Sequence, residues 1–373
     1  MKIKGIIAFA SAAFMLTSAA AFAEEEKALV DVSGKLFFDY SYNVNNETKT
    51  YTAGVPTKTK TTGQNSFNLS RAYVTFDKKI DDAWSARVTL DGGTLDQKDS
   101  GGDTTKSSSA FVKNAYAQYK TAFEPVELKA QAGLVGTPVI DLLDGLIGSR
   151  WIYQNYVDKS SDITGKSVDV SSADTGVKAE VKIMKMVSIT GMYANGDGYK
   201  LNTTDQTPTT KSYYGTLNIN PIEALNIFGY YHRHDTAAAD KAKNFMSYYG
   251  GGLAWKDKSF KVGANYTLAS GKTADVKEES SVLELWGNIN LNEIAGAPVL
   301  VIGRYAMGTY EKKAAAKEKN EGSAIWGGLG YQVNKNVQLA AMYKIDSLTK
   351  KTSGAKTSDA SNNTFYVKSE VVF

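Results

Sequence analysis

The chain of 373 residues carries 43 lysine and arginine residues against 39 aspartate and glutamate residues, and it contains no cysteine. Because the two charge classes nearly balance and no basic block stands out, the composition gives no support for a nucleic-acid partner. The lack of cysteine excludes disulfides and cysteine-based metal sites, and it suits a protein that is exported through an oxidising compartment.

The N-terminal stretch has the three parts of a secretory signal peptide. Lys2 and Lys4 form a basic start, residues 6–16 are mainly apolar, and a small-x-small site ends at Ala23. The sequence therefore predicts a signal peptide over residues 1–23, with cleavage near Ala23, and one domain over residues 24–373. Beyond this leader the sequence has no run of about eighteen apolar residues, which argues against a helical membrane protein.

Apolar and polar residues alternate along much of the remaining chain, as in a strand with two different faces. The first predicted strand covers about residues 30–43, and the next two cover about residues 65–78 and 83–92. A strand of a soluble sandwich would alternate in the same way, so one such segment does not separate the two classes. The clearest case is the third strand, in which Trp84, Ala86, Val88 and Leu90 alternate with Ser85, Arg87, Thr89 and Asp91.

Five later strands share a signature of apolar, apolar, small and tyrosine on alternate residues, at a spacing of roughly 35 to 39 residues. Tyrosine at one height on several strands is typical of the aromatic girdle of a membrane barrel, where the ring meets lipid and the hydroxyl meets water. A soluble sandwich has no reason to place tyrosine in this way. The five tyrosines are Tyr193, Tyr231, Tyr266, Tyr305 and Tyr343.

The last predicted strand, residues 363–373, has one mainly apolar face and ends on Phe373, which is typical of the closing strand of a bacterial outer-membrane barrel. Short connections alternate along the chain with long polar ones, such as residues 195–211 and 348–362. We therefore predict an all-β fold, a transmembrane antiparallel β-barrel of about sixteen strands with short periplasmic turns and long extracellular loops.

Short motifs carry a resemblance to a known family. The stretch from Phe67 to Gly93, which includes Arg71 and Tyr73, resembles the early hairpin of Gram-negative porins of the phosphate-selective porin O and P family. Residues 172–177 and 195–199 are similar to segments of porins related to that family. The resemblance implies a trimeric outer-membrane diffusion channel that spans the whole of the predicted domain.

The chain departs from that family in its arginines. Phosphate selectivity there rests on arginines and lysines arrayed along the pore, so we do not extend phosphate selectivity to this chain. It has only five arginines, Arg71, Arg87, Arg150, Arg233 and Arg304.

The longest break in the strand pattern, residues 136–171, is more apolar than the other connections. A wholly solvated position would leave this apolar surface in water, so we predict that the segment folds into the barrel and forms a constriction. A loop that packs over the rim or against a neighbouring subunit is the alternative. The residues predicted to form the constriction are Asp141, Asp144, Arg150, Trp151, Tyr153, Tyr156 and Asp158.

The face of the strands opposite the apolar one carries charges of both signs, as expected of a water-filled lumen. Facing charges on the loop and the wall would set up a transverse field across the passage. The residues predicted to line the pore wall are Lys35, Asp39, Arg71, Arg87, Asp91, Glu127, Lys129, Lys178, Glu180, Arg304 and Lys344.

These features together predict a porin, an outer-membrane channel for passive diffusion of ions and small hydrophilic solutes. Its expected partners are membrane lipid, the solutes and two further copies of itself in a homotrimer, with no cofactor and no metal. An enzyme at the extracellular rim is one alternative, because His232, His234 and Asp235 lie near one strand end. An adhesive barrel is the other, because long loops serve either use.

Overall fold

The structure, a computed structural model, describes residues 30–98, 104–166, 169–199, 211–235, 244–273 and 276–373. The predicted signal peptide lies outside these described residues. The strands are β1 (Asp31–Thr52), β2 (Val55–Thr61), β3 (Asn65–Lys79), β4 (Trp84–Lys98), β5 (Thr104–Phe123), β6 (Val126–Gly136), β7 (Ala173–Ile183), β8 (Val187–Ala194), β9 (Ser212–Ile222), β10 (Leu225–Asp235), β11 (Phe245–Lys256), β12 (Phe260–Thr273), β13 (Val276–Asn290), β14 (Val299–Lys313), β15 (Glu318–Asn334), β16 (Val337–Thr352) and β17 (Ala355–Val372). The helices are α1 (Pro138–Ile147), α2 (Ser161–Thr164) and α3 (Leu291–Ala295).

All strands belong to one antiparallel sheet that closes on itself. β1 pairs with β17 along most of its length, from Lys35 opposite Val372 to Thr50 opposite Ser358. β2 and β3 both pair with β1 and form two pieces of a single strand, interrupted near Gly63, which has a φ of +77°. The fold is therefore a closed barrel of sixteen antiparallel strands, as predicted.

Alternation along each strand separates an apolar outside from a mixed interior. On β4 and β5, the outward residues Trp84 and Tyr119 pair, with ring centroids 5.1 Å apart, while Arg87 and Tyr116 pair on the inward face. Because side chains alternate with a period of two, this register fixes the faces of the two strands as far as Thr89 and Asn114, where a bulge at Lys113 shifts it. The tyrosines of the five-strand signature lie on the outward face, where four of them are exposed.

The two ends of the barrel differ in their connections. One end, the short-turn end, carries turns such as Glu223–Ala224 and Lys335–Asn336, the short helix α3, and both the first and the last strand ends. Phe373 closes the barrel there, because its backbone N–H donates to Gly34 (3.0 Å) and its carbonyl accepts from Gly34 (2.7 Å). Among the described residues, no helix has the length and apolar character needed to cross a membrane.

At the opposite end of the barrel, the long-loop end, one prediction is wrong. Residues 348–362 are not a loop, because β16 and β17 continue through them and meet in a tight turn at Ser353 and Gly354. Beyond the apolar band both faces of a hairpin are solvated, so strands rich in threonine and lysine lose the alternation that reveals them. Of the predicted loop 195–211, residues 200–210 lie outside the described part of the chain.

Candidate functional site

The segment between β6 and β7, residues 137–172, enters the barrel, and we call it the lumen loop. It contains α1 and α2 and includes many of the most deeply buried apolar side chains, among them Val139, Ile140 and Leu143. These pack in one cluster with inward residues of the wall, such as Trp286 and Met342. The hydrophobic core of the protein therefore lies between the lumen loop and the β8–β16 side of the wall.

Local sequence signals explain α1. Pro138 occupies its first turn, where a missing N–H costs no hydrogen bond, and Asp141 places a negative charge near the helix N-terminus. Gly148 ends the helix with a φ of +69°, and its N–H donates to the carbonyl of Asp144. The helix therefore stops where the chain turns toward the middle of the barrel.

On three neighbouring strands, an inward side chain donates a hydrogen bond to a backbone carbonyl of the lumen loop. On β13, Asn288 Nδ2 donates to the carbonyl of Ile147 (3.0 Å) and to Ser149 Oγ (2.7 Å). On β14, Arg304 Nη1 donates to the carbonyl of Gln154 (2.7 Å). On β15, Asn320 Nδ2 donates to the carbonyl of Thr164 (2.8 Å). The loop is thus fixed to the wall at three successive points, and we call these side chains the three tethers.

The middle tether is also an ion pair. Arg304 Nη2 lies 2.5 Å from Glu284 Oε1, and the two side chains are 1% and 0% exposed. The guanidinium carbon lies 4.3 Å from the ring centroid of Tyr153 and 3.8 Å from that of Tyr156. A buried charge pair of this kind costs desolvation and is stable only when its hydrogen bonds and neighbours are in place. The turn of the lumen loop at residues 153–156 supplies those neighbours.

Small residues on the wall make room for α2. Ile163 is fully buried against Ala306 and Ala324, and a side chain at Gly308 would come 3.1 Å from it. A β-carbon at Gly322 would lie 2.1 Å from the carbonyl oxygen of Ile163, which is closer than any real contact. The wall therefore accepts α2 only because these positions are small.

Arg150 is the centre of a polar network on the side of the lumen loop that does not pack against the wall. Its guanidinium pairs with Asp144 and, at 2.8 Å, with Asp158, while Asn155 Nδ2 donates to Asp144 at 2.7 Å. Burial raises the pKa of Asp144 above the ordinary carboxyl value, an effect that Arg150 and Asn155 partly oppose. Burial alone would lower the pKa of Arg150, but its two carboxylates raise it instead. The arginine is therefore a fixed cation.

Two cavities remain between the lumen loop and the wall on the β1 and β17 side. The upper cavity, about 390 Å³, lies toward the long-loop end, and the lower cavity, about 340 Å³, lies toward the short-turn end. Phe37, Arg150 and Trp151 line both cavities, so the two meet at these side chains, which we call the neck. Two aromatic rings and one guanidinium thus border both cavities.

A third cavity of about 490 Å³, the side chamber, lies beside α1 at the short-turn end. Lys178 Nζ donates to Asp141 (2.9 Å) and to the carbonyl of Gly136 (2.8 Å), which fixes the start of the lumen loop to β7. Lys129 pairs with Glu180 on the neighbouring strand. Charges of both signs line this chamber in nearly equal numbers.

The predicted site residues fall into three groups. The upper cavity brings together Asp39, Arg71, Arg150, Trp151, Tyr153, Tyr156, Arg304 and Lys344. The lower cavity or the side chamber takes Lys35, Asp141, Asp144, Glu127, Lys129, Lys178 and Glu180. The remaining three line none of these cavities but form ion pairs: Arg87 with Asp77, Asp91 with Arg71, and Asp158 with Arg150.

Several residues that line the two cavities are not among the predicted site residues, including Trp326, Tyr366 and Lys368 of the upper cavity. Phe37 lies at the neck, Lys113 and Tyr73 line the lower cavity, and Lys159 lines the upper one. Phe37 stands between Lys35 and Asp39, both of which were assigned to the inward face, so the alternation itself could have placed it. Lys159 carries no strand signal, because it belongs to the irregular part of the lumen loop.

The two histidines face the barrel interior. Ser212 Oγ lies 3.2 Å from Nε2 of His232 and 3.1 Å from Nδ1 of His234. The ring of His232 is stacked between those of Tyr214 and Tyr248, at 4.1 and 5.3 Å. Ser212 is completely buried, so its hydroxyl acts in this structure as a shared hydrogen-bond partner of the two rings.

No protein-family model and no curated protein matches the sequence. Among solved structures, the outer-membrane channel DcaP of Acinetobacter baumannii is similar at 13% identity, with a TM-score of 0.58, covering 92% of this chain and 97% of that one. An anion-selective porin from Comamonas acidovorans is similar at 13% identity and a TM-score of 0.55, over 92% and 99%. The trimer form of the Vibrio cholerae outer-membrane protein OmpT gives 12% identity and a TM-score of 0.54, over 92% and 99%. At this identity the likeness establishes the fold, that of the outer-membrane porins.

Proposed function

We propose that the chain forms a water-filled channel in the bacterial outer membrane, through which ions and small hydrophilic solutes diffuse. The observation that carries the proposal is the pair of cavities inside the barrel, both lined by the side chains of the neck, in a barrel whose outside is apolar. A barrel of about sixteen strands is wide enough for an aqueous channel unless its interior is filled. Here the lumen loop fills one side and leaves the other open.

The lumen loop is the constriction in this proposal. It contributes Arg150 and Trp151 to the neck, and the three tethers hold it against the wall. Because the loop lies inside the barrel and contributes no strand, its removal would widen the passage without removing any strand. The constriction therefore depends on the path of the loop through the barrel.

Location and assembly belong to the same proposal. The apolar outward face fits a lipid bilayer, and a signal peptide over residues 1–23 would direct the chain to the periplasm. A homotrimer is proposed from the fold, since one of the similar structures is described as a trimer form. Membership of the phosphate-selective porin O and P family stays a prediction from the short motifs.

Removing the loop tests the constriction. Deletion of residues 141–156 should raise the single-channel conductance of the purified protein in planar bilayers, because the neck loses both Arg150 and Trp151. The matched control deletes residues 351–356 at the turn between β16 and β17, which line neither cavity, and should leave conductance unchanged. Equal conductance in the intact chain and in the loop deletion would show that the lumen loop does not limit the current.

An enzymatic role at the rim is the second candidate, because Ser212 lies between two histidine rings. Its complete burial argues against attack on an external substrate, and it makes a packing role the better explanation. Hydrolysis of lipid or peptide substrates that is lost in Ser212→Ala would support the enzyme. An adhesive role would appear as cell binding that is lost when the hairpin around residues 351–356 is trimmed.

A further inference from the structure

The upper cavity combines lysines and aromatic rings in a way that a passage for simple ions does not require. We propose that the upper cavity and the neck form a binding subsite for small aromatic carboxylates, flat rings that carry one negative charge. The proposal rests on the proposed function, because it names a class of solute for the channel. A cavity of about 390 Å³ falls within the usual size range of small-molecule sites.

The charges of the subsite favour an anion in direct contact. Arg71, Arg150, Arg304 and Lys344 line the upper cavity, while their partners Asp91, Asp158, Glu284 and Asp346 are absent from its lining. Two carboxylates do line it, Asp39 and Asp162, and Asp162 lies 4.0 Å from Lys344. With Lys159 and Lys368, the lining holds six cationic side chains against these two carboxylates, so it favours an anionic solute.

Two lysines of the upper cavity, Lys159 and Lys368, have no carboxylate within ion-pair distance in the described chain. Lys368 Nζ instead lies 5.0 Å from the ring centroid of Tyr366, on the same strand. When the carboxylates behind the lining are included, the positive and negative charges around the cavity nearly balance. The attraction between the cavity and an anion therefore acts through short contacts. Contacts of this kind persist at high salt, whereas a long-range field is screened within about 3 Å at 1 M.

Aromatic rings supply the second half of the subsite. Trp326 and Tyr366 are stacked, with centroids 5.2 Å apart and planes 27° apart, and both line the upper cavity. Phe37 on β1 and Trp151 on the lumen loop border the neck from opposite sides. A flat ring gains from such neighbours, by about 0.5–1.5 kcal/mol for an aromatic pair. An inorganic ion gains nothing there and keeps its hydration water.

The combination selects the class of ligand. A neutral ring would leave Lys159 and Lys368 without a counter-charge, and an aliphatic carboxylate would leave the rings without a flat partner. An aromatic carboxylate satisfies both, with its carboxylate on a lysine ammonium and its ring beside Phe37, Trp151 or Tyr366. Benzoate is the simplest probe of this class.

The test measures how far each probe reduces the chloride current of the intact protein in planar bilayers at about 1 M salt, where long-range fields are screened. Benzoate is compared with three relatives. Cyclohexanecarboxylate keeps the charge without a flat ring, benzylammonium keeps the ring with the opposite charge, and acetate lacks the ring. We expect benzoate to halve the current at a concentration about fivefold lower than any of the three, which corresponds to one aromatic contact.

Two variants assign the effect to the subsite. Lys368→Met should weaken the block of the current by benzoate. Block by benzyl alcohol, a neutral compound with the same ring, should stay unchanged in this variant. Phe37→Leu should bring benzoate to the level of cyclohexanecarboxylate. The matched controls are Lys182→Met, in the side chamber, and Phe67→Leu, on the outward face, and both should behave as the unchanged protein.

The outcomes separate the inference from the proposed function. Equal block by benzoate and cyclohexanecarboxylate in an open channel would overturn the inference and leave the channel standing. Equal loss of benzoate block in Lys368→Met and Lys182→Met would also overturn it, because the site would then lie elsewhere. No current at all from a folded barrel would refute the channel, and the subsite as a part of it.

Discussion

The buried pair of Arg304 and Glu284 provides the sharpest test of how the lumen loop is held. In Arg304→Met, Glu284 is left without its charge partner in a position with no exposure, and the carbonyl of Gln154 loses its donor. Removing one partner of a buried ion pair typically costs about 3–5 kcal/mol. Because about 1.4 kcal/mol corresponds to a factor of ten, the attachment of the loop should weaken by a factor of about one hundred to a few thousand.

We expect Arg304→Met to convert a steady single-channel current into one that fluctuates between two or more levels, since the middle tether is lost. Hydrogen exchange at residues 150–157 should become faster in the same variant. The matched control is Arg87→Met, which breaks an ion pair with Asp77 whose side chains are 44% and 37% exposed. Exposed pairs contribute about 0–1 kcal/mol, so this control should show neither change.

A double variant separates lost charge balance from lost packing. Arg304→Met combined with Glu284→Gln leaves no uncompensated charge in the wall, so it should recover most of the steadiness that the single variant loses. Steady current and unchanged hydrogen exchange in Arg304→Met would refute the tether. A double variant as unsteady as the single one would show that the charge of Glu284 is not the cause.

Other predictions follow from the packing and charge of the lumen loop. Gly322→Val should displace α2 and cost about 1–3 kcal/mol of stability, measured by thermal unfolding, whereas Gly327→Val, where a β-carbon meets nothing within 4 Å, should cost little. Equal melting temperatures would contradict the close fit of Ile163. Because the pKa of Asp144 is raised, acidification should protonate it before ordinary carboxyl groups, leave Arg150 with one carboxylate and increase the anion preference measured by reversal potential. Asp144→Asn should remove that step of the pH profile. If the step persists in this variant, it arises from the titration of another group. The same raised pKa means that protonation of Asp144 favours the folded loop, so the protection of the α1 amides, relative to exchange in an unfolded chain at the same pH, should not fall as the pH falls through this step.

Strand alternation revealed most of the fold because the apolar outside of the barrel imposes it. On β4, Trp84 and Val88 face outward and Arg87 faces inward, as the sequence predicts. The signal fails at the long-loop end, where β16 and β17 continue through residues that were predicted to form a loop. There both faces meet water, and no energetic reason remains for one of them to be apolar.

The site was less accessible to sequence reasoning, because it depends on the path of an irregular segment. The apolar character of residues 136–171 predicts their entry into the barrel, and in the structure the carbonyls of Ile147 and Gln154 accept hydrogen bonds from inward side chains of the wall. The pairing of Arg304 with Tyr153 and Tyr156 could not be predicted, because it requires the height of the loop against β14. Phe37 was overlooked because polar residues were expected on the inward face.

The most direct test of the central claim is the conductance of the purified, correctly folded protein in planar bilayers. We predict stable, ohmic current steps, because the upper and lower cavities share the side chains of the neck and would form one passage in the proposed channel. A trimer would show these steps in groups of three. A folded barrel that inserts into the bilayer and carries no current would contradict the account, because the lumen loop would then close the barrel completely.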